Sequence, residues 1–371
     1  MANHRDLSMK TFVQSIQPDV FQRYFERLPP SQQPSSPWVY LNPDAMQEYL
    51  SNLNEADADA TIMEDFRCIN DISALGTNLL IRAYNRVGGS FDPEQTTQEL
   101  AMGLFLDYPE AFQYAWSRYL LYSTNSKLSS YPLMVPQLDV TEERIGKLQD
   151  DLSNWLASQA KGKDCNVSWH QDDNQSTLYV QRGAHRRTMP YWKDGKIEIA
   201  SLRLASEDLL VYNPKQASLT IKAGLVKDNE FYLSIFAYHV AGDGSLARKA
   251  LDTPMFSLEP LERGNFDYTG NGIITGIDLT WAKIRLYDIH SSVIEIKSKS
   301  VLGTLEHGLH RSPLRQGKLV SVRFRFQIHP DEGRPATVSF EVQPPVRTNL
   351  TQKRYADIIE DYLREQGVML R

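Results

Sequence analysis

The chain has 371 residues, of which 41% are hydrophobic and 23% charged, the balance of a soluble globular protein with room for two or three domains. Its formal charge of -6 excludes a global attraction to nucleic acid or to an anionic membrane, so any such contact needs a local basic patch. No apolar run reaches the roughly 18 residues of a membrane span, the N-terminal MANHRDLSMK lacks a secretory apolar region, and the two cysteines, Cys68 and Cys165, form no zinc-type pair; the expectation is a cytoplasmic protein with no membrane partner.

The first third reads as helical. Val20, Phe21, Tyr24, Phe25 and Leu28 recur at helical spacing behind Pro18, and Pro29-Pro30 stops the run. The Pro- and Ser-rich stretch that follows, to Pro37, reads as a linker, so residues 1–28 are expected to form a detachable helical arm that docks on a partner. A helical domain is expected over 38–122. Asn42-Pro43 opens its first helix, and one long helix is predicted through Ile62, Phe66, Ile69, Leu79, Leu80 and Ile81 to Gly88-Gly89. Phe112, Tyr114, Trp116, Tyr119 and Tyr122 then mark an aromatic helix, read as bundle core before ligand cage.

Residues 123–140 lack periodicity and read as a connection between domains, followed by a connecting helix over 141–160 whose stripe is Ile145, Leu148, Leu152, Trp155 and Leu156. From 165 to 371 the texture turns to β. Separate strands are predicted at 177–181, 196–204, 208–212 and 218–222, with a turn at Asn213-Pro214-Lys215-Gln216. One helix interrupts them, and on its apolar face His239 reads as a satisfied core histidine. Ala282, Ile284 and Leu286 alternate with Trp281, Lys283 and Arg285, and Val322, Phe324, Phe326 and Ile328 alternate with Arg323, Arg325 and Gln327. Asn349 is expected to cap the last helix, with Gln352 in the capping-box position and Tyr355, Ile358, Ile359, Tyr362 and Leu363 as its buried stripe. The predicted fold class is α+β: a helical N-terminal domain, then a β-rich, mainly antiparallel C-terminal domain closed by a C-terminal helix.

Three stretches carry chemistry. Arg182, His185, Arg186, Arg187, Lys193 and Lys196 surround Tyr191 and Trp192 in what reads as an exposed loop, the mix of cations and stacking rings that single-stranded nucleic acid favours; Arg323 and Arg325 would extend the patch if they faced the same way. The bland alternative is a solvated basic loop in an acidic protein. Glu295 and Lys297 share a strand face downstream of Asp278 and Asp288, a spacing that resembles the carboxylate and lysine set of restriction-type nucleases, where the acids hold Mg²⁺. It equally suits an ordinary charged strand face. Asp267, Asn271 and Asp278 fall on oxygen-ligand positions of a loop resembling the EF-hand Ca²⁺ pattern, although position 12 carries Asp and the flanks do not read as helices. A polar turn at Asn271-Gly272 accounts for the same residues.

His290, His307, His310 and His329, and His170 with Asp172 and Asp173, read as surface polar sequence before metal sites. The sequence contains no phosphate-binding Gly-rich loop, dinucleotide fingerprint or nucleophile elbow. Two functions follow. The first is a non-enzymatic subunit of an intracellular prokaryotic multi-protein assembly, with protein partners and with single-stranded nucleic acid or duplex DNA at the basic stretch. The second is a metal-dependent nuclease of restriction or antiviral-defence type.

Overall fold

The computed structural model describes residues 7–55, 60–92, 94–123, 127–135, 138, 140–171, 175–193, 195–309, 312–330 and 335–370. The chain divides into a helical unit, 2–124, and a second unit, 125–371. The fold class is α+β.

The helical unit contains α1 (Met9–Gln14), α2 (Pro18–Phe25), α3 (Trp38–Leu41), α4 (Pro43–Glu55), α5 (Ala60–Ser73), α6 (Thr77–Arg86), α7 (Thr97–Asp107) and α8 (Pro109–Ser123). Their starts follow from local chemistry. Pro18 occupies the first turn of α2, where its missing N–H costs nothing. Asn42 accepts from the Asp44 and Ala45 amides at the head of α4, and Thr96 with Glu99 makes a reciprocal capping box on α7. The long helix predicted through Ile81 and beyond is in fact two, because Gly76 between α5 and α6 takes φ +82°, a left-handed conformation no continuous helix contains.

The segment expected to be a detachable arm is built into this core. Phe12, Phe21, Tyr24 and Phe25 are at most 2% exposed, and all four rings pack on Phe66, with centroids 5.1, 5.9, 4.9 and 6.3 Å away. The Glu99 carboxylate also accepts from the Gln17 amide at 2.9 Å. Proline punctuation marks where the helices stop, and it carries no information about which surface they cover.

The second unit is organised on a ten-stranded antiparallel sheet among the described residues. Its strands are β1 (Leu128–Pro132), β2 (Cys165–Gln171), β3 (Ser176–Lys193), β4 (Lys196–Asn213), β5 (Ser218–Lys222), β6 (Ile274–Leu286), β7 (Val293–Lys297), β8 (Gly317–Ile328), β9 (Ala336–Gln343) and β10 (Arg347–Thr348). They lie in the order β2-β3-β4-β5-β1-β10-β9-β8-β6-β7. The stretch predicted as a connection thus supplies β1, near the sheet centre between β5 and β10. Its serines pass as strand residues because partners arrive from elsewhere: Ser130 bonds Thr220 at 2.9 Å and Ser129 accepts from Asn229 at 2.8 Å.

Two hydrophobic cores flank this centre. One packs α9 (Glu142–Ser158), α10 (Asn229–His239) and α11 (Ser245–Asp252) against Leu178, Val180, Leu210, Tyr212, Leu219 and Ile221. His239 is buried there, its Nε2 2.8 Å from Asp151. The other packs α12 (Glu259–Arg263) and α15 (Ala356–Glu365) against β6, β8 and β9, with Phe324 stacked on Phe340; α13 (Val301–Gly303) and α14 (Ser312–Arg315) lie between the two helices in the chain. Asn349 does not cap α15; it accepts the Glu341 amide at 2.7 Å, a separate 3-10 turn fills 350–352, and Tyr355 enters the helix in the left-handed region.

Glu360 on α15 is buried and accepts from Gln216 in the β4–β5 turn. Burial pushes its carboxyl from 4.5 up to about 7, against the opposing pull of Arg364. The folded state therefore holds this proton more tightly than the unfolded chain. The stability it contributes is complete below the ordinary carboxylate value and is lost as pH climbs through about 7. Glu360→Gln should remove that loss and be the more stable protein at pH 8 by roughly 1–3 kcal/mol, from about 1.4 kcal/mol per tenfold change in proton affinity. Urea midpoints at pH 5 and pH 8 check this; an unchanged pH dependence would refute it.

Candidate nucleic-acid interface

β3 and β4 are both 18 residues long and stay paired from Ser176↔Tyr212 to Lys193↔Lys196. Their neighbours are much shorter. β2 pairs only as far as Arg182, and β5 reaches only Leu209. Beyond a register irregularity between Gly183 and Arg186, the two strands leave the sheet as a two-stranded ribbon with no third strand on either edge among the described residues. The basic stretch is therefore a β-arm and not a loop, and the strands predicted at 196–204 and 208–212 are one. From Arg186 to Lys193 the free ribbon is about 24 Å long at about 3.4 Å per residue.

The arm is solvated on both faces. Trp192, Ile197 and Ile199 are 70%, 63% and 73% exposed, and Tyr191 is 42% exposed with its hydroxyl donating to Glu198 at 2.8 Å. His185, Arg186, Arg187 and Lys196 are exposed as well. Residues 184–203 carry five cations (Arg186, Arg187, Lys193, Lys196, Arg203) against two anions (Asp194, Glu198), a local +3 on a chain of -6. The Lys193 side chain lies outside the described set.

Arg182 belongs to the base of the arm, not to its surface. It is buried, and its Nε donates to Asp208, which also accepts from the Tyr232 hydroxyl and from the Gly224 amide at 3.0 Å. Lys161, also buried, donates to Asp228 at 2.6 Å and sits 4.9 Å from the Trp155 ring centre. Burial, then the Asp208 carboxylate, pushes the Tyr232 phenol well above its ordinary value. Two positive and two negative side chains are thus buried together. Arg203 closes the base from outside, donating to the Ala160 and Ala184 carbonyls, both at 3.0 Å. A Cβ at Gly183 would lie 2.5 Å from the Lys161 carbonyl oxygen, so this crossing needs glycine.

Arg323 and Arg325 do not join the arm. Arg323 donates to Glu341, and Arg325 donates to Asp278 at 2.7 Å. Their strand, β8, is five places from β4 in the sheet, about 24 Å at about 4.8 Å per strand.

The β6–β7 hairpin separates the acids predicted to share Mg²⁺. Glu295 lies opposite Lys283 and pairs with it at 3.0 Å; that hydrogen bond holds the Glu295 carboxyl below its usual value. Asp278 is five residues further along β6, about 16 Å, and is taken up by Arg325. Asp288 sits in the turn, accepting from the His290 and Ser292 amides at 3.1 and 2.8 Å. Ser292 is in turn three residues, about 10 Å, from Glu295. Glu295 and Lys297 do share a strand face, Lys297 opposite Trp281, but neither acid comes within the few Å that one ion at about 2 Å per ligand requires.

The Ca²⁺-like stretch folds as a turn. Asp267 accepts from the Thr269 amide and hydroxyl at 2.8 and 2.7 Å, and Asn271 exchanges two hydrogen bonds with Ile274, each at 3.1 Å. Gly270 and Gly272 supply the positive φ, at +88° and +92°. Asp278 lies four residues past Ile274 in β6, so it does not close a ligand ring with Asp267 and Asn271. Among the described residues no three His, Cys, Asp or Glu side chains converge; His310, Asp172 and Asp173 lie outside that set.

The strand predicted at 196–204 sets Ile197, Ile199 and Leu202 on the exposed arm. An Asp-Gly pair at 194–195 is the signal that joins it to the preceding basic stretch as one hairpin. No family model and no curated protein matches the chain. No helix among the described residues is long and apolar enough to cross a membrane.

Proposed function

We propose that this chain is a non-enzymatic subunit of an intracellular prokaryotic multi-protein assembly whose β-arm contacts nucleic acid. The observation that carries the reading is the arm itself: a ribbon free of the sheet, locally +3, with cations beside exposed rings. Phosphate contact by such cations dominates affinity and releases counterions. Trp38 and Leu41 on α3, 59% and 70% exposed, support the protein-binding half of the reading, because large apolar side chains in solvent favour a partner surface.

The charge model has a salt signature. Fluorescence anisotropy with labelled oligonucleotides should give an affinity that falls steeply with salt. In a variant with Arg186, Arg187 and Lys196 all changed to Ala, the log–log slope should flatten by about two, at roughly 0.7–0.9 for each phosphate left without its cation. No binding at low salt, or an unchanged slope, would remove the reading.

A further inference from the structure

The arm's two faces differ from each other in a way that bears on which nucleic acid it fits. Residues directly opposite in an antiparallel ribbon share a face, and successive residues alternate. One face therefore carries Arg186, Thr188, Pro190 and Trp192 with Arg203, Ser201, Ile199 and Ile197; the other carries Arg187, Met189 and Tyr191 with Leu202, Ala200, Glu198 and Lys196. Each face has one exposed ring and at least one exposed cation.

A single strand stacks its successive bases on rings that follow one another along one groove. Here Trp192 and Tyr191, as strand neighbours, point to opposite sides, so a strand laid on either face meets one ring and only part of the charge. A duplex groove instead offers phosphates on both walls. The major groove of B-form DNA, about 12 Å wide, admits a two-stranded ribbon, and at about 3.4 Å per base pair the arm, about 24 Å long, would follow roughly seven pairs. The Pro190, Ile197, Ile199 and Trp192 face is suited to thymine methyl groups on the groove floor. The corresponding groove of A-form RNA is too narrow for side chains to read.

Resting on the nucleic-acid reading above, we propose that the arm is a major-groove ribbon for duplex DNA, with the Trp192, Ile197 and Ile199 face turned to the bases and Arg187 and Lys196 to the backbone. The test is binding of the full chain to three labelled probes of one sequence, about 20 nucleotides long, namely single-stranded DNA, duplex DNA and duplex RNA, at fixed salt. Duplex DNA should bind at least about tenfold tighter than the other two, and a minor-groove-binding dye should leave it bound. Trp192→Ala should weaken duplex DNA binding about fivefold while leaving the salt slope as it was, because an apolar contact releases no counterion.

Single-stranded DNA or duplex RNA binding as tight as duplex DNA, or displacement by the dye, would overturn this proposal alone and leave the nucleic-acid reading standing. Failure of all three probes to bind at low salt would overturn both. If, in addition, Trp192→Ala abolished self-association measured by sedimentation, the apolar face would belong to a second copy of the chain.

Discussion

Asp208→Ala should cost about 3–5 kcal/mol of unfolding free energy, the usual result of removing one member of a buried ion pair. Asp208 is fully buried and takes three donors, from Arg182, Tyr232 and the Gly224 amide. Without it the Arg182 guanidinium keeps its charge while only 5% exposed, with Asp228 at 3.9 Å as its remaining carboxylate. Arg182 and Asp208 sit where β3 and β4 part from their neighbours, so the damage should also loosen the arm. Asp208→Asn, which keeps the shape and one acceptor, should be milder. Chemical denaturation monitored by tryptophan fluorescence measures both, and a loss below about 1 kcal/mol for the alanine variant would show that water already reaches the pair.

Deleting residues 1–28 should unfold the helical unit. Phe12, Phe21, Tyr24 and Phe25 are buried against Phe66, itself 0% exposed. Truncating one such ring typically costs about 3–5 kcal/mol, and a domain has only about 5–15 kcal/mol in all. The deletion also removes Gln17, whose amide is held by Glu99 of the α7 capping box. The expected result is loss of helical circular dichroism and rapid proteolysis throughout 38–122. A truncated chain that keeps its helical signal and melting temperature would restore the detachable arm.

What the sequence determined by itself was local, because the forces that act within a few residues are written in consecutive positions. Alternation placed Ala282, Ile284, Val322, Phe324 and Phe326 on the buried face. Pro18 and Asn42 started helices, Asn213 turned the chain by accepting from Lys215 and Gln216, and the change of period near Cys165 fell at the start of β2. The tertiary structure alone decided which charges were free. Arg182 and Arg187 belong to one basic run, yet the first is buried on Asp208, 26 residues away, while the second is exposed. Asp278 and Arg325 belong to different predicted sites and neutralise each other across β6 and β8. β1 became a strand only because β5 and β10 supplied its partners. Burial and charge pairing depend on contacts between residues far apart in sequence, and no local spacing encodes those.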